Sequence, residues 1–202
     1  MKQLKRPFFE RNKVTDIARD LVGKILLTQI DDVTVSGRIV ETEAYAATGD
    51  RACHAHLGRF TERTKVMYGP GGVAYIYLCY GIHHLFNVIT NAEGTPEAVL
   101  IRAVEPISGS EIMMERRGLE KKARNLTAGP GVLSQAMGIT TLLNETDLTH
   151  PESIIRMYDD GFRAESSGIE TGPRVGVDYA GEDALLPWRF SLKGSKWKSP
   201  AK

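Results

Sequence analysis

Carboxylates, imidazoles and aromatic rings are concentrated between residues 39 and 87 more than anywhere else in this chain. The stretch opens with Ile39-Val40-Glu41-Thr42-Glu43-Ala44-Tyr45 and passes through Cys53-His54-Ala55-His56. It closes with Tyr75-Ile76-Tyr77-Leu78-Cys79-Tyr80-Gly81 and Asn87. Several chemistries compete for these residues. Glu41, Glu43, His54 and His56 offer donors for a metal ion, although no His-Glu-x-x-His or paired-cysteine spacing accompanies them. Cys53 beside His54 offers a thiol and an imidazole, but adjacent residues on a chain usually point apart. A serine hydrolase would need a Gly-x-Ser-x-Gly elbow, which is absent. A carboxylate with aromatic rings, a histidine and an asparagine suits a pocket that stacks a planar heterocycle and activates water. It suits equally a module that only binds the ring.

The elements that must position these groups can be read from periodicity. Val14, Ile17, Ala18, Leu21 and Val22 recur at helical spacing, with Thr15 or Asp16 near the start of the helix and Gly23 at its end. Residues 24–30 and 33–45 read as a hairpin turning at Asp31-Asp32. On its second strand, period two places Ile39, Glu41, Glu43 and Tyr45 on one face and Val40, Thr42 and Ala44 on the other. A face carrying two acids is ordinarily a solvated one. Residues 46–58 read as a loop, and Thr61-Glu62-Arg63-Thr64 as a helix start running into a short turn through Met67.

Residues 73–79 form the strongest strand in the sequence, with Tyr75, Tyr77 and Cys79 on one face. Residues 80–83 make its turn and 84–90 the returning strand, which leaves Tyr80 at a hairpin tip. Residues 97–104 read as a buried strand whose one charge, Arg102, needs a partner, with Glu43 or Glu41 the candidates. A helix is predicted over 111–117. A shorter one over 132–137, begun by Pro130 and Gly131, has an N-terminus suited to a phosphate. Further strands are predicted over 154–158, 174–177 and 188–192.

Composition narrows the classes. The chain has 202 residues, 42% of them hydrophobic and 25% charged, which fits one globular domain over residues 1–202. It has no apolar run of membrane-spanning length and no signal-peptide pattern, and its two cysteines do not make a disulfide framework. A cytoplasmic protein, nucleoid-associated in a bacterium, is the expectation. The net charge of +1 argues against binding nucleic acid by bulk charge. Local basic clusters remain at Lys2/Lys5/Arg6, Arg59/Arg63/Lys65, Arg116/Arg117/Lys121/Lys122/Arg124 and Lys193/Lys196/Lys198, each of which reads by default as a solvated face.

At Glu41-Thr42-Glu43-Ala44-Tyr45, His54, residues 71–81, Asn87 and Leu100-Ile101-Arg102-Ala103-Val104-Glu105-Pro106, the sequence resembles the alkyladenine (3-methyladenine) DNA glycosylases of the mammalian, monofunctional type. The resemblance resumes at Gly129-Pro130-Gly131, Arg174-Val175-Gly176-Val177, Pro187-Trp188-Arg189-Phe190 and Gly194-Ser195-Lys196-Trp197, and so covers nearly the whole chain. It implies an α+β fold, a curved antiparallel sheet bordered by helices with a protruding hairpin. It also implies a microbial enzyme that flips alkylated or deaminated purines out of double-stranded DNA and hydrolyses the N-glycosidic bond, with water as nucleophile.

By the same resemblance, Glu43 is the general base and Arg102 holds Glu43 and the water. Tyr45, His54, Tyr77 and Asn87 form the base pocket, and Tyr80 fills the gap in the duplex. Thr61, Arg63, Met67, Tyr68 and Gly131 fall on segments expected along the DNA backbone. No cofactor or metal is implied, no catalytic lysine stands in the motif, and a monomer is expected. His83-His84 depart from the aromatic or apolar residues usual after the wedge. A family member that binds lesions without cleaving them is the alternative, and a metal-dependent hydrolase built on His54 and His56 is a third class.

Overall fold

The computed structural model describes residues 1–121, 123–164 and 168–200. Lys122, from the third basic cluster, lies outside them. The strands are β1 (Lys2–Gln3), β2 (Ile25–Ile30), β3 (Val33–Ala46), β4 (Ala74–Cys79), β5 (His83–Thr90), β6 (Glu97–Ser108), β7 (Ile155–Asp159), β8 (Ile169–Gly172) and β9 (Arg189–Leu192). The α-helices are α1 (Arg6–Phe9), α2 (Val14–Leu21), α3 (Ser110–Arg117) and α4 (Pro130–Met137). Among the described residues the strands make one open sheet in the order β1-β7-β2-β3-β6-β5-β4, with β9 pairing both β3 and β8. Each of these pairings is antiparallel. The architecture is α+β, and no helix among the described residues is long and apolar enough to cross a membrane.

Two faces of the central strands explain where the site lies. Val40 and Ala44 of β3, Val99 and Ile101 of β6, Phe86 and Val88 of β5, and Ala74 and Ile76 of β4 point into the main core. There they meet Ile17, Ala18 and Leu21 of α2, Met113 of α3, and Leu133, Ala136 and Met137 of α4. Thr42 belongs to this helix side too, its hydroxyl donating to the Ala18 carbonyl at 2.7 Å. The alternate residues of the same strands therefore share the other face. Cross-strand register sets Glu43 opposite Leu100, Leu100 opposite Asn87, and Asn87 opposite Tyr75, a single row across β3, β6, β5 and β4.

The alternation is interrupted once where it matters. Between Ile39 and Thr42 the β3–β6 register shifts and shifts back, so that Val40 and Arg102 are both skipped in the pairing. Beyond Leu100, β6 parts from β5, and the backbone of Ala128 and Gly129 takes its place, with Ala103 bridged to Ala128 and the Gly129 N–H donating to the Arg102 carbonyl at 3.1 Å. Alternation along β6 nevertheless holds here: with Val99 and Ile101 in the core, Leu100 and Arg102 point to the acid-bearing face. That face is buried, contrary to the solvated default: Glu41 and Glu43 are 1% and 0% exposed.

One predicted strand is not formed. Residues 174–177 make a bend, with the strand β8 lying just before them at Ile169–Gly172. The bend's polar groups are engaged by side-chain contacts and not by a strand partner: the Val175 N–H donates to the Glu43 carboxylate at 2.8 Å, and Arg174 is bound to Asp50 and to the carbonyls of Ala44 and Asp183.

Candidate active site

The acid-bearing face opens into a cleft of about 790 Å³. Glu43 lies just beneath its floor, fully buried behind Tyr45, Arg102 and Val175, which line the cleft and partner the carboxylate on three sides. Its Oε1 accepts the Val175 N–H at 2.8 Å and pairs with Arg102 Nη1 at 3.2 Å, while its Oε2 accepts the Tyr45 hydroxyl at 2.7 Å. Glu41, two residues earlier on the same face, pairs with Arg102 Nε and with Arg189 Nη1, each at 3.4 Å. Burial works against the charge on Arg102, but the adjacent Glu43 and Glu41 outweigh it and hold its pKa above the ordinary value. The Tyr45 phenol is pushed well above its usual range, first by burial and then by the Glu43 carboxylate it donates to, so it stays a donor.

A second buried ion pair supports Tyr45 from behind. Arg174 grips Asp50 through both terminal nitrogens at 2.6 and 2.7 Å and also donates to the carbonyls of Ala44 and Asp183. Its guanidinium lies over the Tyr45 ring, 4.7 Å from the centroid, and also faces Trp188. Asp50 in turn accepts the N–H groups of Ala46 and Ala52, which fixes the turn leaving β3. This bidentate arrangement sets the position of Val175, the next residue, and thereby the backbone donor to Glu43.

The wall opposite Glu43 is aromatic. Tyr75 and Tyr77 project from β4, and His54 stands edge-on to Tyr77 with centroids 4.7 Å apart. Arg63 lies over the Tyr77 ring at 4.5 Å and places Nη2 3.1 Å from His54 Nε2. A guanidinium only donates, so Nε2 accepts, and the proton of the neutral ring is assigned to Nδ1, 2.8 Å from the Tyr75 hydroxyl. Burial first, then Arg63 and Arg59, lower the His54 pKa to about 4. Asn87 is held by two donations from Nδ2, to the carbonyls of Tyr75 at 3.1 Å and Leu85 at 3.3 Å. Between these walls lie the smaller side chains Ala98 and Leu100, which leave room for a flat ligand.

The rim is different in kind. Tyr80 sits at the β4–β5 tip, 90% exposed, in the left-handed region at φ +51, followed by Gly81 at φ +73. Leu78 and Ile82 beside it are exposed as well. Thr61 and Arg63 are exposed, Tyr68 is half-buried with its hydroxyl on the Arg59 carbonyl, and Met67 is buried in a small cluster with Val66, Cys53 and Tyr75. Met67 therefore anchors its segment and reaches the cleft wall rather than the outer surface. Gly131 opens α4 with the His83 ring so near that an added Cβ would come within 2.9 Å of it.

Sequence reasoning brought together Glu43, Arg102, Tyr45, His54, Tyr77 and Asn87; the last five line one cleft, and Glu43 is buried directly behind it against Arg102 and Tyr45. It missed the Asp50–Arg174 pair, the Val175 N–H and Ser199, whose contacts join segments more than 90 residues apart. The one available signal was a lone arginine beside apolar residues at 174, which needed an acid. The competing thiol reading meets an obstacle, since burial pushes the Cys53 thiol up to about 12, away from the thiolate a nucleophile requires. Among the described residues no group of three or more His, Cys, Asp or Glu side chains converges as metal ligands.

Comparison with known proteins gives the family of the sequence. The sequence model of the methylpurine-DNA glycosylase family matches residues 7–196. Curated relatives carrying the name "Putative 3-methyladenine DNA glycosylase" align along nearly their whole length. The one from Chlamydia felis is 45% identical over 196 residues, covering 96% of this chain and 98% of the relative. That from Methanocella arvoryzae is 47% identical, covering 96% and 94%, and that from Desulfitobacterium hafniense is 44% identical, covering 98% and 99%.

Proposed function

The chain belongs to the methylpurine-DNA glycosylase family, and we propose that it is a monofunctional, monomeric DNA glycosylase, a single domain that excises alkylated and deaminated purines from duplex DNA and leaves an abasic site. The observation that carries this reading is the setting of Glu43. An ionised carboxylate offers roughly four acceptor positions, and three are filled by Val175, Arg102 and Tyr45. The fourth is left for the attacking water, which would enter from the cleft between Tyr45, Arg102 and Val175, the lining residues that cover the buried carboxylate. Glycosidic cleavage passes through an oxocarbenium-like state, which a fixed carboxylate stabilises while it takes the proton of the attacking water. Arg102 keeps the carboxylate oriented and balances its charge.

The flipped base would lie between Tyr45 on one side and Tyr77 and His54 on the other. An alkylated purine is electron-poor, so stacking on phenol rings is worth about 1 kcal/mol or more. Asn87 would meet the purine edge. With both amide protons committed to backbone carbonyls it cannot swing aside, which disfavours the 2-amino group of normal guanine. Tyr80, displayed at the tip, would fill the space left in the duplex. Thr61, Arg63 and Tyr68, on the segment anchored by Met67, and the Gly131 turn would follow the DNA backbone.

The test is incubation with duplexes carrying 3-methyladenine, 7-methylguanine, hypoxanthine or ethenoadenine in the presence of chelator, followed by chemical cleavage of abasic sites. Base release from at least one alkylated purine, with the strand intact until the chemical step, is expected. No release from any of the four would overturn the reading, and strand incision by the protein itself would overturn its monofunctional part.

A further inference from the structure

Arg102 stands where β3 and β6 each skip a residue, so regular strand pairing does not fix its side chain. Its terminal groups are divided among three neighbours. Nη1 reaches Glu43, Nε reaches Glu41 at 3.4 Å, and Nε and Nη2 both donate to Ser199 Oγ, at 3.3 and 3.1 Å. Ser199 comes from the segment that follows β9. That segment runs from the turn at Leu192–Ser195 to Trp197, which is buried in the main core, and returns to the cleft floor. The Ser199 backbone N–H also donates to Glu41 Oε2 at 2.7 Å, so one residue holds both the guanidinium and the second carboxylate that competes for it.

We infer that Ser199 is a positioning residue that keeps Arg102 directed at Glu43. The inference rests on the glycosylase reading above and adds to it a latch supplied by the chain beyond β9. The physical need is specific. Glu41 and Glu43 lie on one strand face and both attract the same guanidinium, while Arg189 offsets part of the pull of Glu41. The Ser199 oxygen takes the two N–H groups that face neither Glu43 nor bulk water, since Arg102 is only 5% exposed. Remove that oxygen and a buried donor is left without an acceptor, which the guanidinium relieves by turning toward Glu41 and away from Glu43. The carboxylate then keeps its backbone donor but loses its cation at the reacting centre. Binding of the duplex, which involves the rim and the ring walls, is not altered by this change.

The experiment compares wild type, Ser199→Ala and Ser199→Thr in single-turnover base release from a methylated-purine duplex, with rates normalised to the folded fraction, alongside affinity for a duplex carrying an abasic-site analogue. Ser199→Ala is expected to slow release on the order of tenfold, the scale of a small misplacement at a reacting centre, with affinity unchanged. Ser199→Thr, which keeps the oxygen, is expected to recover most of the rate. Release by Ser199→Ala within twofold of wild type, equal losses in Ala and Thr, or a loss confined to affinity would each overturn the inference. Wild-type protein that releases no base would overturn the proposed function itself, and the inference with it.

Discussion

Beneath the floor of the cleft, Glu43 is 0% exposed and the charges near it are paired: Glu43 and Glu41 with Arg102, Glu41 with Arg189, Asp50 with Arg174. At the rim, Tyr80 is 90% exposed, carries an aromatic side chain in a backbone region that suits glycine, and faces open solvent. The floor thus holds groups whose ionisation and orientation depend on the whole fold being formed. The rim holds a group that the fold displays at some cost in backbone strain and from which folding gains little. Substitutions at the floor should therefore damage chemistry or stability, and substitutions at the tip should damage recognition alone.

The largest separation of the two regions comes from Glu43→Gln. A general base contributes roughly 10²–10⁴-fold, and here the same carboxylate also faces developing positive charge, so release should fall about a thousandfold or more. Affinity for an abasic-site duplex should persist, because the ring walls and the tip are untouched. Single-turnover kinetics with a binding isotherm on the same preparation measures both. Retained release would remove Glu43 from the chemistry and leave the floor without a role distinct from scaffolding.

Next in size is a loss of stability at the floor. Arg174 and Asp50 both have fully buried side chains, and removing one member of such a pair costs about 3–5 kcal/mol because the other charge is left uncompensated. Arg174→Met should lose that amount in denaturant unfolding, and Asp50→Asn/Arg174→Met should recover part of it. If the single substitution costs less than about 1 kcal/mol, the pair behaves like a surface ion pair and the contrast between floor and rim fails on the stability side.

How much of this was legible beforehand follows from the same physics. Strand period two put Glu41, Glu43 and Tyr45 on one face, and a buried strand carrying Arg102 demanded an acid; both rest on local pattern and both are found in the fold. The hairpin tip was legible because Tyr80-Gly81 interrupts two strongly β-forming runs. What was not legible depends on long-range contacts or on groups without a sequence signature. The Val175 N–H is a backbone donor, identical in type to every other, and nothing local shows that a side chain 132 residues away captures it in a segment that bends where a strand was expected. Asp50 sat in a stretch of small residues that read as loop, with nothing local to say that Arg174 would reach it. The burial of the acidic face was misjudged for a related reason, since the segments that cover it, residues 174–177 and 197–199, are far away in sequence.

His54 lies between the two regions and gives an intermediate effect that depends on pH. Burial, Arg63 and Arg59 hold its pKa at about 4 in the folded protein, against about 6.5 in an unfolded chain. Between those values the unfolded state binds more protons, so stability rises with pH through this window and is lost as pH falls from 6.5 toward 4. Wild type should therefore lose about 2 kcal/mol more than His54→Gln between pH 7 and pH 5, by the linkage of one such group. Denaturant unfolding of the two proteins at both pH values checks it. Equal losses would mean that the ring is as open to protonation as a rim group, and would move His54 to the rim side of the comparison.

The smallest effect is the most selective one, because at the tip stability and recognition should move in opposite directions. Tyr80 takes φ +51 without packing against the core, and a β-carbon in that region is disfavoured, whereas glycine is not. Tyr80→Gly should accordingly leave stability unchanged or raise it by up to about 1 kcal/mol. The same substitution removes the ring proposed to occupy the duplex, so affinity for a damaged or abasic duplex should weaken on the order of tenfold, a stacking contribution of about 1–3 kcal/mol. Tyr80→Ala separates the two terms, since it removes the ring but keeps the β-carbon: it should weaken affinity equally and gain no stability. Paired unfolding and binding measurements on the two variants decide the matter. A tip that loses stability with its ring would belong energetically with the floor, and a tip that loses its ring without losing affinity would not be the wedge.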